Sequence, residues 1–172
     1  IATLADDDME GRKSGTIGIE KAAQYIEGEF KRIGLTTYKN LPTFRQNFRR
    51  KGLDLFNVIG VLEGKGKKNE YIVVSGHYDH LGVIENGEGD NIYNGADDDA
   101  SGVSAVLALA EYYKTTGNNE RTIIFVAFTG EEMGLLGSNY FGKGINAAQY
   151  IAGINIEMIG KESKFGPKTA WL

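Results

Sequence analysis

The chain has 172 residues, 24 of them glycine and none cysteine, and a formal net charge of −4. That length suits one domain with a single substantial core. The lack of cysteine excludes disulfides, thiol catalysis and cysteine-ligated zinc, no basic stripe marks a nucleic-acid partner, and no apolar run is long enough to span a bilayer.

The sequence opens at Ile1 rather than Met and stops at KTAWL without a closing element, so a trimmed product, incomplete at both ends, is expected. From Ile19 to Ile33 apolar residues recur at helical spacing and Gly34 ends the run, which predicts a surface helix packed by one face. TFRQNFRR (43–50) and LFNVIGVLEG (55–64) read as strands. GKGKKNE (64–70) reads as an exposed turn before the apolar strand YIVVSG (71–76).

The only two histidines, His77 and His80, follow that strand in HYDH, with Asp79 between them. A strand-end imidazole is a candidate metal ligand and a carboxylate beside it a candidate orienting partner; taken alone, two surface histidines in a loop are the favoured reading. The segment 85–102 then carries six acidic residues and no basic one, ending in Asp97, Asp98 and Asp99. Three aspartates before a helix can cap it, but crowded like charges also call for a cation. EF-hand loops fail here: Ile92 in DNIYNG and Ile17 after ADDDMEG stand where oxygen ligands are needed.

ASGVSAVLALAEYYKTTG (100–117) predicts a largely buried helix ended by Gly117, and RTIIFVAFTG (121–130) a continuous apolar strand. Glu131 and Glu132 follow it, and adjacent carboxylates there are either solvated or a metal ligand beside a general base. A short helix is expected from Leu135 to Phe141. GSNYFGKG (137–144) is no phosphate loop, since Gly144 replaces the hydroxyl residue. YIAGINIEMIG (150–160) reads as another buried strand that would place Glu157 in apolar surroundings, where it needs a partner, metal ion or basic side chain. Strands alternating with helices predict an α/β three-layer sandwich with a mixed, mostly parallel central sheet flanked by helices, and polar clusters at the carboxyl ends of its strands.

With these clusters in order, DMEGRKSGTIG, SGHYDHLG, NGADDDASG, TGEEMGLLGS and INIEMIG, the chain closely resembles the co-catalytic di-zinc aminopeptidases, whose relatives include glutamate carboxypeptidase II and the glutaminyl cyclases. The resemblance implies a hydrolase of phosphorylase/hydrolase-like fold that removes N-terminal residues from peptides. It makes His77, Asp98, Glu132 and Glu157 zinc ligands, with Asp98 bridging two ions. Glu131 becomes the general base toward the water between them, and Asp79 the partner of His77. Family members usually carry Asp where Glu157 stands, and often a cis peptide after the bridging Asp. His80 matches no ligand position.

Family members supply one further zinc ligand, a histidine well downstream, and this chain has none beyond His80. Two zinc ions are therefore expected in a complete enzyme, and one or none, with no activity and with self-association, in this chain. The segment between Gly34 and Tyr71 is too short for the protease-associated insertion of some members, so residues 1–172 form one catalytic domain. Glutaminyl cyclisation, or a non-catalytic metal- or peptide-binding module, is the alternative to peptide hydrolysis. An extracytoplasmic location is implied by the family.

Overall fold

The computed structural model describes residues 1–164, 166 and 169, except 86 and 88. Asn86 and Glu88 of the acidic loop, and most of the closing KTAWL, lie outside the described residues. After a 3₁₀ turn at Asp7–Arg12 come helix α1 (Ile17–Ile33), strands β1 (Thr36–Thr37), β2 (Arg45–Arg50), β3 (Leu53–Leu62) and β4 (Lys67–His77), and the short strands β5 (Gly82–Val83) and β6 (Ile92–Tyr93). An irregular turn, Ala96–Ser101, leads into α2 (Gly102–Thr116), followed by β7 (Arg121–Phe128), α3 (Leu136–Lys143) and β8 (Tyr150–Asn155).

The main sheet has the order β1-β3-β7-β4-β8, with β2 also paired to β3. Its β4, β7 and β8 run parallel, while β3 is antiparallel to β7, β1 and β2. This is the mixed α/β sheet that the alternating pattern predicts. Strand alternation sorts the side chains: Val58, Val74, Ile123, Phe125 and Ala127 face the layer of α1 and α2. Ile59, Val73, Ile124 and Val126 pack with Phe141 of α3 on the other side.

Helix α1 buries Ile19, Ala22, Ala23, Ile26, Phe30 and Ile33, the one-faced set of the sequence pattern, and Gly34 caps it in the left-handed conformation. Two expectations are corrected. Lys67–Glu70 belong to β4 rather than to a turn: Lys67 pairs with Arg121 of β7, and the residues up to Tyr71 form an irregularity before regular pairing resumes. Helix α2 buries only one face, through Val103, Val106, Leu107 and Ala110, and leaves Tyr112 54% exposed.

The third correction concerns β8. Among the described residues it pairs only with β4, and every residue from Ile151 to Asn155 is exposed, so the expectation of a buried strand is not met there. No described helix is long and apolar enough to cross a membrane.

Candidate metal centre

Parallel pairing brings the carboxyl ends of β4, β7 and β8 to one rim of the sheet, with His77 opposite Phe128 and Ser75 opposite Asn155. That register delivers the loop residues Glu131, Glu132 and Glu157 beside His77. Asp99, fully buried, fastens the rim: its carboxylate accepts the backbone N–H groups of His77 (3.1 Å), Gly102 (2.9 Å) and Met158 (3.2 Å). Burial raises its pKa to about 6 against these bonds and the pull of His77. The helix-capping reading of the three aspartates thus holds for Asp99, while Asp98, joined to it by a cis peptide bond, faces the imidazoles.

His77, 3% exposed, places Nδ1 3.0 Å from the carbonyl of Asp79 and Nε2 2.9 Å from Asp98 Oδ1. The carbonyl only accepts, so Nδ1 carries the proton and Nε2 is the atom left to a further proton or a metal ion. Despite its short distance to Asp98, Nε2 makes no hydrogen bond. Burial works against a charge on His77, but Asp79, Asp99 and Asp98 outweigh it and raise the pKa to about 9. A surplus of negative charge surrounds the ring.

The resemblance makes Asp79 the orienting partner of His77, and the structure divides that task. Its carbonyl holds the ring, while its buried carboxylate, 3.8 Å from Nδ1, accepts from Ser14 Oγ (3.3 Å) and from the backbone N–H of Glu131 (3.1 Å). Asp79 therefore ties the end of β4 to the loop carrying both glutamates. Burial raises the pKa of Glu131, with Glu157, Glu132 and Asp79 adding to the effect and His77 opposing it.

Two residues that the motifs did not assign belong to the same rim. Arg12, fully buried, donates to the carbonyls of Leu4, Tyr78 (3.0 Å), Asn94 (2.5 Å) and Gly95 (3.0 Å). Burial lowers its pKa to about 10, while Asp79, Asp99 and Asp98 hold the charge on it. His80 turns Nδ1 to Glu132 Oε1 at 2.8 Å. The signal for Arg12 was a lone arginine in a glycine-containing turn after an acidic run; for His80 it was only proximity to His77.

Glu157 is placed otherwise than its sequence context suggests. Strand β8 stops at Asn155, and Glu157 is exposed, accepting from Asn155 Nδ2 at 3.2 Å, so the argument from burial falls away. It does line, with His77, Glu131, Phe128 and Leu135, a cavity of about 210 Å³ beside the imidazole. The structure thus gathers His77, Asp98, His80 and Glu132 closely and leaves Glu131 and Glu157 on the cavity wall.

The sequence model of peptidase family M28 matches residues 57–166. A probable zinc metalloprotease of Pyricularia oryzae is 38% identical over 110 residues, covering 62% of this chain and 21% of its own length. Among solved structures, a Zn-dependent exopeptidase from Parabacteroides distasonis gives a TM-score of 0.70 at 22% identity, over 94% of this chain and 60% of that one. A glutaminyl cyclase from Bacteroides thetaiotaomicron bound to N-acetylhistamine gives 0.71 at 22% identity with the same coverage. Both structural likenesses concern the fold. The chain spans about a fifth to a quarter of the length of the fungal zinc metalloproteases it matches.

Proposed function

The chain belongs to peptidase family M28, and from that premise we propose that it is the catalytic part of a metal-dependent aminopeptidase acting on peptides with a free N-terminus. The observation that carries this reading is His77 Nε2: buried, aimed at Asp98 and without a hydrogen-bond partner. An orphaned buried nitrogen among carboxylates fits a metal ion and is costly otherwise.

His77 and Glu157 would hold one divalent ion, Glu132 the other, and Asp98 both. When bound, such ions acidify water and polarise a scissile carbonyl. Glu131 lines the cavity next to His77, with its pKa raised, and takes the proton from the attacking water and returns it to the leaving amine. Asp79 holds His77 by its carbonyl and the Glu131 loop by its carboxylate, so base and imidazole keep a fixed separation. The acidic wall of Glu131 and Glu157 suits a cationic α-amino group. Zinc as the metal, two ions and an extracytoplasmic location are part of this proposal.

Product chemistry tests it. With zinc present, the complete enzyme should remove the first residue of an unblocked peptide and leave its N-acetylated form intact. Release of ammonia from an N-terminal glutamine peptide, as the α-amine displaces the side-chain amide nitrogen and the peptide bonds stay intact, would replace hydrolysis by cyclisation.

A further inference from the structure

Asp98 and Glu157 come from different loops, and the residues beside them are fastened to one another. Asp98 stands between Asp97 and Asp99 in the turn before α2, and Glu157 directly precedes three residues whose backbone N–H groups all donate into that turn. Met158 N–H donates to Asp99 Oδ1 (3.2 Å), Ile159 N–H to Ser101 Oγ (3.2 Å) and Gly160 N–H to Asp97 Oδ1 (2.8 Å). Successive backbone N–H groups turned to one side make a concavity suited to anions, and here it holds the protein's own side chains.

Other features show that this contact is built in. Met158 takes a φ of +49°, a backbone conformation that side chains rarely adopt, within the bonded run. Glycines allow the close approach: a Cβ on Gly102 would overlap the carbonyl oxygen of Ile156, and one on Gly160 would stand 2.8 Å from Asp97 Oδ1. Ser101 is 3% exposed, and its hydroxyl donates to the carbonyl of Asp97 (2.7 Å) while accepting from Ile159. Asp97 keeps Oδ2 buried and without a partner, a cost that a solvated carboxylate would escape.

We infer that Asp97 and Ser101 are positioning residues for Glu157: they hold the turn after β8 against the aspartate turn, and so fix Glu157 relative to Asp98. The inference rests on the proposed function, in which both carboxylates hold one ion. Asp99 serves several segments, since it also accepts from His77 and Gly102, whereas the side-chain bond of Asp97 goes to Gly160. The competing role for Asp97 is general support of the fold, which spreads its effects beyond this turn.

The test compares the complete enzyme that contains this chain with its Asp97→Ala and Asp97→Asn variants. Asparagine retains an accepting oxygen and alanine removes it. In the metal-free proteins, amide exchange read residue by residue by mass spectrometry should rise about tenfold from Met158 to Gly160 in Asp97→Ala. It should stay at the wild-type rate at Glu131, whose N–H is held by Asp79. Zinc affinity, from competition with a chelator, should fall about 10- to 100-fold in Asp97→Ala, and Asp97→Asn should recover most of both losses. Should Asp97→Ala not fold, Ser101→Ala, which removes the bond to Ile159, takes its place. Unchanged exchange or unchanged zinc affinity in the alanine variant, equal losses in alanine and asparagine, or faster exchange at Glu131 as well, overturns the inference and leaves the proposed function standing. No zinc uptake by the wild type overturns both.

Discussion

His77 Nε2 and Asp98 Oδ1 stand 2.9 Å apart, yet the nitrogen has no hydrogen-bond partner. An unprotonated imidazole nitrogen and a carboxylate oxygen this close repel each other unless a proton or a shared cation lies between them. Binding to the native state alone then raises stability by about 2.7 kcal/mol at a free concentration 100 times the dissociation constant. Zinc should therefore raise the melting temperature of the wild type. With His77→Ala combined with Asp98→Ala, the added zinc should leave the melting temperature nearly unchanged, measured by calorimetry.

The proposed function gives Glu131 proton transfer and Glu132 the metal, roles that the complete enzyme separates. Glu131→Gln should keep the wild-type zinc content while turnover falls by about 10²-fold or more. Zinc analysis beside initial rates separates the two carboxylates: a fall in zinc content in Glu131→Gln would exchange their roles.

Arg12 joins four carbonyls from three segments and sits among Asp79, Asp98 and Asp99. Arg12→Met should lower the unfolding free energy by about 3 kcal/mol or more, since it leaves several buried acceptors unpaired. Lysine should not restore the loss, because one ammonium cannot reproduce the planar fork. Urea denaturation of the three proteins gives the values.

Arg45 of β2 binds Glu20 and Glu27 of α1 and lies over the ring of Phe56 at 4.4 Å. The bond to Arg45 lowers the Glu20 pKa from 4.5, with burial opposing and Gln24 assisting. A carboxylate depressed in the folded state contributes stability above its unfolded pKa and loses it as pH falls through the folded one. The pair is partly exposed, at 21% and 33% side-chain accessibility, so about 1 kcal/mol or less is at stake. The stability gap between wild type and Glu20→Gln should be present at pH 6 and close as pH drops below about 4.5, where the unfolded carboxyl titrates. A gap that persists at pH 2.5 would show that the pair is not its source.

The order of elements was readable because α1 carries a clean helical period, β7 is an unbroken apolar run, and Gly34 and Gly117 close α1 and α2. The exposure of β8 was not, since Ile151 and Ile154 read as core residues and only pairing shows that β8 is the last of the described strands in the sheet. Glu157 was misread with it, being placed by where the strand stops. Polar Lys67–Glu70 concealed the start of β4 because its first pairing, Lys67 with Arg121, is followed by an irregularity that no local pattern encodes. His80 escaped because its partner Glu132 lies 52 residues away, across a parallel pairing that local pattern does not encode. Arg12 escaped because charged residues in turns are usually solvated, and its acceptors come from three separate segments.

The reading of this chain as a metal-dependent aminopeptidase is tested most directly by removing and restoring the metal while following release of the first residue from an unblocked peptide. In the complete enzyme that contains this chain, dialysis against a chelator should abolish release, and added zinc should restore it. Undiminished hydrolysis by the thoroughly demetallated protein would contradict the account.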